Sequence, residues 1–520
     1  MQKQSNNEKR QQGITLVVLA ITIIVILILS TVTINMAFGD NGLIRQSQVA
    51  KDMSVNSTIA EETEMNRIME SYTNVIEEDK KLGAGPYVDN VVTSAPELSD
   101  GMVPVKWNGS NWVKTTENDQ DWYNYANKEW ANIVLTPESG QNEGKDATGT
   151  VDVFNEDGTL NENSAYTMLV WIPRYAYRIT SGWHSNQTGD IEVVFIDKNN
   201  MDKNGDTYNG TYEQAVDGVS SGGAMNNFVQ HPAFTYGDNE LDGIWVGKYE
   251  SSNTNCNTDI STGQQTYTGS EVLTVRAGVT SWRNIASSNA FDTCLNMNNN
   301  PVYGLTSNDN VVDPHMMKNI EWGAVVYLSK SIYGKNDEEI WKNNNSNYIT
   351  GQAGNDVADA QNTVTNNYNT ENGMKASTTG NVTGVYDMSG GTWETVAAYV
   401  DLGENNDTVG QSLLEAEDKY VDVYVSSDSN EQQSNYENAY NNYGDAMYEI
   451  SSLGSGNNSW FNDGSQYFYD TAQYMHRGGR MVSGTDSGPY FFGYARGRAG
   501  GTETFRLAMS VMWYYRVKNN

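Results

Sequence analysis

Hydrophobic positions are spread unevenly along the chain. Ile14 to Phe38 is an almost unbroken apolar run, ITLVVLAITIIVILILSTVTINMAF, with no charge inside it. About 20 apolar residues cross a bilayer core as a helix, so residues 14–38 are expected to span a membrane once. The Thr, Ser and Asn side chains within it bond back to the helix or lie near the interface. From 39 to 83 the pattern becomes amphipathic. After the turn-like Asp40-Asn41-Gly42, the residues Val55, Ile59, Met65, Met69, Tyr72 and Ile76 fall near a helical period, with charged residues between them. This predicts a stalk helix ending near Lys81, whose stripe packs either on a partner helix or on the chain's own domain.

From Met102 the period shortens to that of strands. Val103-Pro104-Val105-Lys106-Trp107, then Asn108-Gly109, then Asn111-Trp112-Val113 is a hairpin pattern. With Trp122, Tyr123, Tyr125 and Trp130 it predicts a small aromatic β-rich unit at 84–145. Its rings either stack on sugars or fill the core of that unit. Tyr166 to Ile179 predicts a buried strand pair, and Ile191–Ile196 and Ile244–Glu250 further strands. Ser281–Met297 and His315–Leu328 read as helices. The segments 343–379 and 404–459 are polar and read as surface excursions with little core, Leu413–Val425 being a short helix or strand. No internal repeat of fixed period is present. The pattern as a whole predicts an α+β protein with a helical N-terminal anchor.

Composition narrows this picture. A length of 520 residues exceeds one ordinary domain, and 13 Trp, 32 Tyr and 11 Phe supply core despite 38% apolar content. The net charge of −33 repels phosphate backbones and argues against nucleic acid as a partner. It fits either a soluble exported surface or cation binding. Asp202, Asn204, Asp206 and Glu213 stand at positions 1, 3, 5 and 12 of DKNGDTYNGTYE, the spacing of a calcium loop. Position six is Thr207 rather than Gly, so an Asx-type hairpin turn is the competing reading. No cofactor is required by the sequence; calcium is the one candidate. Cys256 and Cys294 are the two cysteines, and outside the cell they would be free to form one disulfide. No Cys/His cluster suggests zinc, and His184, His231, His315 and His476 are scattered.

Lys3, Lys9 and Arg10 precede the apolar run, which places the N-terminus in the cytoplasm and everything after Gly39 outside. Lys9-Arg10-Gln11-Gln12-Gly13-Ile14-Thr15-Leu16 resembles the leader of type IV prepilins. The resemblance implies a leader at 1–13, cut between Gly13 and Ile14 by a prepilin peptidase, and methylation of the new N-terminus. Pilins usually carry Glu at the fifth mature position. Here it is Val18, which argues against assembly into a fibre.

Three islands stand near the C-terminus: GVYDMSGGTWE at 384–394, HRGGR at 476–480 and FRLA at 505–508. In this order they resemble the formylglycine-generating-enzyme (sulfatase-modifying factor) branch of the C-type-lectin-like fold. The resemblance implies such a domain over 146–520, carrying the two polar inserts. Tyr386, Met388 and Trp393 would be core anchors. Asp387 and Glu394 would fix the loop through hydrogen bonds or calcium, although calcium-binding relatives carry Asn where this chain has Gly391. Arg506 would be a buried structural arginine. The copper-binding cysteines of these oxidases lie between the second and third islands. Met481 to Thr504 contains no cysteine, so that chemistry is not expected there and no catalytic residue is assigned.

The stretch SGTDSGPYFFGYARGRAGGTET, from Ser483, resembles the variable face of retroelement-diversified lectin-fold proteins. Tyr and Arg dominate binding hot spots, and Ser, Gly and Thr give adaptable contacts. Strand parity puts Tyr490, Phe492, Tyr494, Arg496 and Arg498 on one side. With Ser483 and Thr485 they form the expected face for an extracellular protein or glycan. The expectation is therefore a single-pass bacterial membrane protein displaying a ligand-binding domain. A minor pilin or pseudopilin, and a divergent oxidase or hydrolase of the same fold, are the alternatives.

Overall fold

The computed structural model describes residues 91–305, 312–402, 409–426, 431–468 and 472–512. The apolar run at 14–38, the stalk at 39–83 and the Gly13–Ile14 junction lie outside the described residues. Among those described, no helix is long and apolar enough to cross a membrane. The fold from Val92 onward is mixed α+β and strand-rich.

One seven-stranded sheet has the order Val312–Met316, Leu507–Val511, Gly243–Gly247, Thr167–Pro173, Asn132–Leu135, Met102–Trp107 and Trp112–Lys114, antiparallel throughout. Thr167–Pro173 is buried along its whole length, as an unbroken apolar run requires. The expected hairpin forms, with Trp107 opposite Trp112. The 84–145 segment is not a separate unit, however. Val105 pairs with Asn132, and Asn132 in turn pairs with Val170. Its strands were short enough to look self-contained, but their hydrogen bonds continue into the larger sheet. The aromatics Trp122, Tyr123, Tyr125 and Trp130 are buried rather than displayed. The Tyr125 hydroxyl donates to the Trp171 carbonyl at 2.7 Å, and Trp130 Nε1 to the Tyr333 carbonyl at 2.9 Å.

The run at 166–179 forms two strands in different sheets. Tyr175–Ser181 pairs with Asp190–Phe195 and Val229–Gln230. Arg174 marks the switch. It is buried and donates to the carbonyl of Phe234 (3.0 Å) and to Asn200 Oδ1 (2.7 Å).

A second seven-stranded sheet centres on Trp393–Asp401. This strand is antiparallel to Tyr474–Arg477, and parallel to Asp422–Val425 at one end and Glu503–Phe505 at the other. Phe492–Ala495 pairs with Tyr474–Arg477, and the short Ser465–Gln466 and Ser455–Gly456 complete the edge. Its core joins Val396, Met475, Tyr467 and Phe492 to Tyr424, Tyr436 and Met447. The last three lie within 404–459, so that insert supplies core rather than decorating the surface. Two of its buried Tyr hydroxyls are satisfied internally: Tyr436 donates to the Ser451 carbonyl and Tyr424 to the Asp445 carboxylate, both at 2.9 Å. The 343–379 insert also packs inward: Asn343, Thr350 and Ala353 are fully buried.

The helices are Ser287–Leu295 and Asn319–Lys330, each starting later than expected. Asn284, at φ +61°, is left-handed and cannot belong to a right-handed helix, so the first begins after it. His315 belongs to a strand, and the second helix begins where the Glu321 carboxylate accepts the Lys318 N–H at 2.8 Å. Cys256 and Cys294 are free and buried, so no disulfide joins them.

Candidate functional site

The first C-terminal island builds a turn that no other local sequence would hold. Asp387 (φ +62°), Gly390 (φ +81°) and Gly391 (φ +61°) all adopt left-handed backbone. The Asp387 carboxylate accepts from Gly351 N at 2.9 Å and from Asn343 Nδ2 at 2.8 Å. Glu250 takes the Thr392 N–H and hydroxyl, both at 2.7 Å, and the Ser281 hydroxyl. Hydrogen bonds therefore fix this loop. A Cβ on Gly391 would stand 2.5 Å from Glu250 Oε1, which explains why this position is Gly. Burial pushes the Glu250 carboxyl well above the ordinary carboxylate range.

Arg506 lies where the chain passes from Glu503–Phe505 in the second sheet to Leu507–Val511 in the first. It is a buried structural arginine, as expected. Its Nε and Nη2 bond the Glu394 carboxylate at 2.8 and 2.5 Å, and Nη1 bonds the Gly247 carbonyl at 2.7 Å. Glu394 thus points inward, and strand alternation turns its neighbours Trp393 and Thr395 to the opposite face.

On that opposite face the structure assembles a stack that the sequence reading did not single out. Trp393 is half-buried, not a core anchor like the fully buried Tyr386 and Met388. The Arg480 guanidinium lies 4.3 Å from the Trp393 ring centre. His476 stacks on Trp393, with centroids 4.5 Å apart and planes 9° apart, and Phe491 continues the stack at 5.9 Å. Gly493 pairs with His476 across the strands, and a Cβ there would meet His476 Nε2 at 2.6 Å. Burial, then the Arg480 charge, hold the His476 pKa down to about 3, so the imidazole is neutral. Trp393 Nε1, His476 Nδ1 and Arg480 Nε are each buried without a hydrogen-bond partner among the described residues. Trp393 and Arg480 keep part of this stack open to solvent, with His476 buried beneath them. The signal available in the sequence was the parity of Trp393 against Glu394.

The expected face divides. Tyr490 and Phe492 are buried, which corrects their assignment to the ligand surface. Phe492 fills the core of the second sheet, and Tyr490 packs on Trp460 and Phe461. Tyr494 and Ser483 are half-buried; Thr485, Arg496 and Arg498 are exposed. Strand geometry ends at Ala495, so parity no longer relates the arginines to Phe492. They sit instead on an excursion that leaves the sheet beside Tyr474 and returns at Glu503 beside Trp393.

The DKNGDTYNGTYE segment closes on itself. Asp202 Oδ1 accepts the N–H groups of Asn204 and Asp206, both at 2.9 Å, and the left-handed residue is Gly205. Glu213 departs into the first turn of a short helix. The four candidate calcium residues are not gathered around one point. Among the described residues no group of three His, Cys, Asp or Glu side chains is placed to hold a metal ion.

No protein-family model matches the chain, and no curated protein matches its sequence. Among solved structures it is similar to Treponema denticola variable protein 1, at 10% identity and a TM-score of 0.23, over 67% of this chain and 96% of that one. A likeness at that score carries no argument about ligand or activity.

Proposed function

We propose that this chain is a cell-surface ligand-binding protein. In this reading residues 14–38 anchor it after prepilin-type processing at Gly13–Ile14, and a lectin-like domain displays the surface around Trp393. The observation that carries the proposal is the half-exposed Arg480–Trp393–His476 stack. Beside it runs the excursion bearing the exposed Arg496 and Arg498. Aromatic and arginine side chains on a rigid sheet are the usual anchors of protein recognition. The ligand is an extracellular protein or glycan, and the exposed residues of the excursion are where sequence variation would change specificity without disturbing the core.

The test is a binding screen of the full chain in detergent against panels of surface proteins and glycans. Trp393→Ala/Arg480→Ala and Arg496→Glu/Arg498→Glu are each expected to weaken a captured ligand by about tenfold or more. Unchanged affinity in both pairs would reject this face. An adjacent reverse-transcriptase gene, with an imperfect DNA copy of this region differing at adenines, would support diversification.

A further inference from the structure

A separate cavity of about 370 Å³ shares no residue with the Trp393 stack. Its size is at the lower end of small-molecule sites, which run ~300–1,000 Å³, and suits one sugar ring with a few waters. The deeper wall carries Tyr166, Arg276, Gln352 and Tyr368, all buried. Around the mouth stand Asn163, Asn257, Thr258, Asn367 and Asn369. Asn257 Oδ1 and Asn367 Oδ1 already accept from Asp259 N (2.7 Å) and Gln352 Nε2 (2.6 Å), and an apolar ligand would strip water from the amide groups left over at this exposed mouth, at a cost for each group. A polyhydroxylated ligand matches it, because an amide and a hydroxyl each both donate and accept.

Arg276 sets the charge preference. Its Nη atoms donate to the carbonyls of Ser164 (3.0 Å) and Cys256 (2.8 Å), and its Nε is buried without a partner among the described residues. Carbonyls hold this buried guanidinium in place without neutralising it. Two carboxylates stand near: Asp146, which acts on Arg276 through space while accepting from Ala165 N at 2.7 Å, and the rim Glu162, which accepts the Tyr368 hydroxyl at 2.8 Å. We infer that the cavity is a binding site for a single carboxylated sugar residue, with its carboxylate at Arg276 and its hydroxyls on the amide rim.

The proposal does not depend on the Trp393 surface and is tested apart from it. Glucuronate and glucose are titrated into the full chain, followed by calorimetry and saturation-transfer NMR. Glucuronate is expected to bind about tenfold or more tighter than glucose. Arg276→Gln should level the two sugars. Arg276 also braces two carbonyls, so the exposed pair Asn163→Ala/Asn369→Ala gives a second arm, expected to weaken glucuronate several-fold at unchanged melting temperature. Trp393→Ala/Arg480→Ala should leave glucuronate binding intact. Absence of glucuronate binding, equal affinity for glucose, or indifference to the rim pair would overturn the assignment.

Discussion

Glu449 is a carboxyl buried against three donors and no cation. It accepts from the hydroxyls of Tyr177 and Tyr327, each at 2.9 Å, and from Gly444 N at 2.7 Å. Burial outweighs those bonds and pushes its pKa from 4.5 to about 7. A folded-state value above the unfolded one means that the protonated form stabilises the fold. That contribution is complete below 4.5 and is lost as pH rises through about 7. Each pH unit across this window removes up to about 1.4 kcal/mol. Glu449→Gln keeps the shape but cannot ionise. Melting curves between pH 4.5 and 8 should therefore show the wild type losing stability more steeply than the variant. Parallel curves would mean that Glu449 is ionised throughout. Glu394 differs in kind, because its carboxylate faces the Arg506 guanidinium directly.

At the scale of the element, the binding surface depends on how the Phe492–Ala495 strand pairs with Tyr474–Arg477. Gly493 is the position where the neighbouring His476 ring passes over the backbone. Gly493→Val should displace that ring and unstack Trp393. Overpacking of this kind costs about 1–3 kcal/mol. Denaturant titration should show that loss, together with weakened ligand binding; full stability would mean that the stack tolerates the side chain. The same strand shows what the sequence could reveal. Alternation located the hairpin at 102–114 and the run at 166–179, because regular apolar spacing survives in any sheet. It failed at 490–498, because the strand is only four residues long and Phe492 happened to face the core. Composition also misled at 404–459. Asn435, Tyr424 and Tyr436 look like surface residues until their partners, Phe468, Asp445 and Ser451, are known, and those contacts form only once the insert has folded. Arg506 was legible as structural, whereas the Arg480–Trp393–His476 contact joins residues more than a strand apart and appears only after folding.

At the scale of the whole molecule, the chain passes directly from one large sheet into the other at Arg506. Among the described strands, Leu507–Val511 comes last in sequence, yet it lies inside its sheet, between Gly243–Gly247 and Val312–Met316. Met509 faces both Trp245 and Pro314 across those ladders. A proline at 509 would remove a ladder hydrogen bond between two neighbouring strands, so Met509→Pro should abolish cooperative melting and soluble expression. A soluble variant with a normal melt would show that the sheet closes without this strand. The placement also has a consequence during biosynthesis. Trp245 is exposed on one side of its strand until Met509 has been made, and an apolar edge left bare for that long is an aggregation hazard. A cell making this protein has to shield that edge throughout elongation, and a ribosome that stalls before residue 507 would release a sticky fragment instead of a smaller working domain.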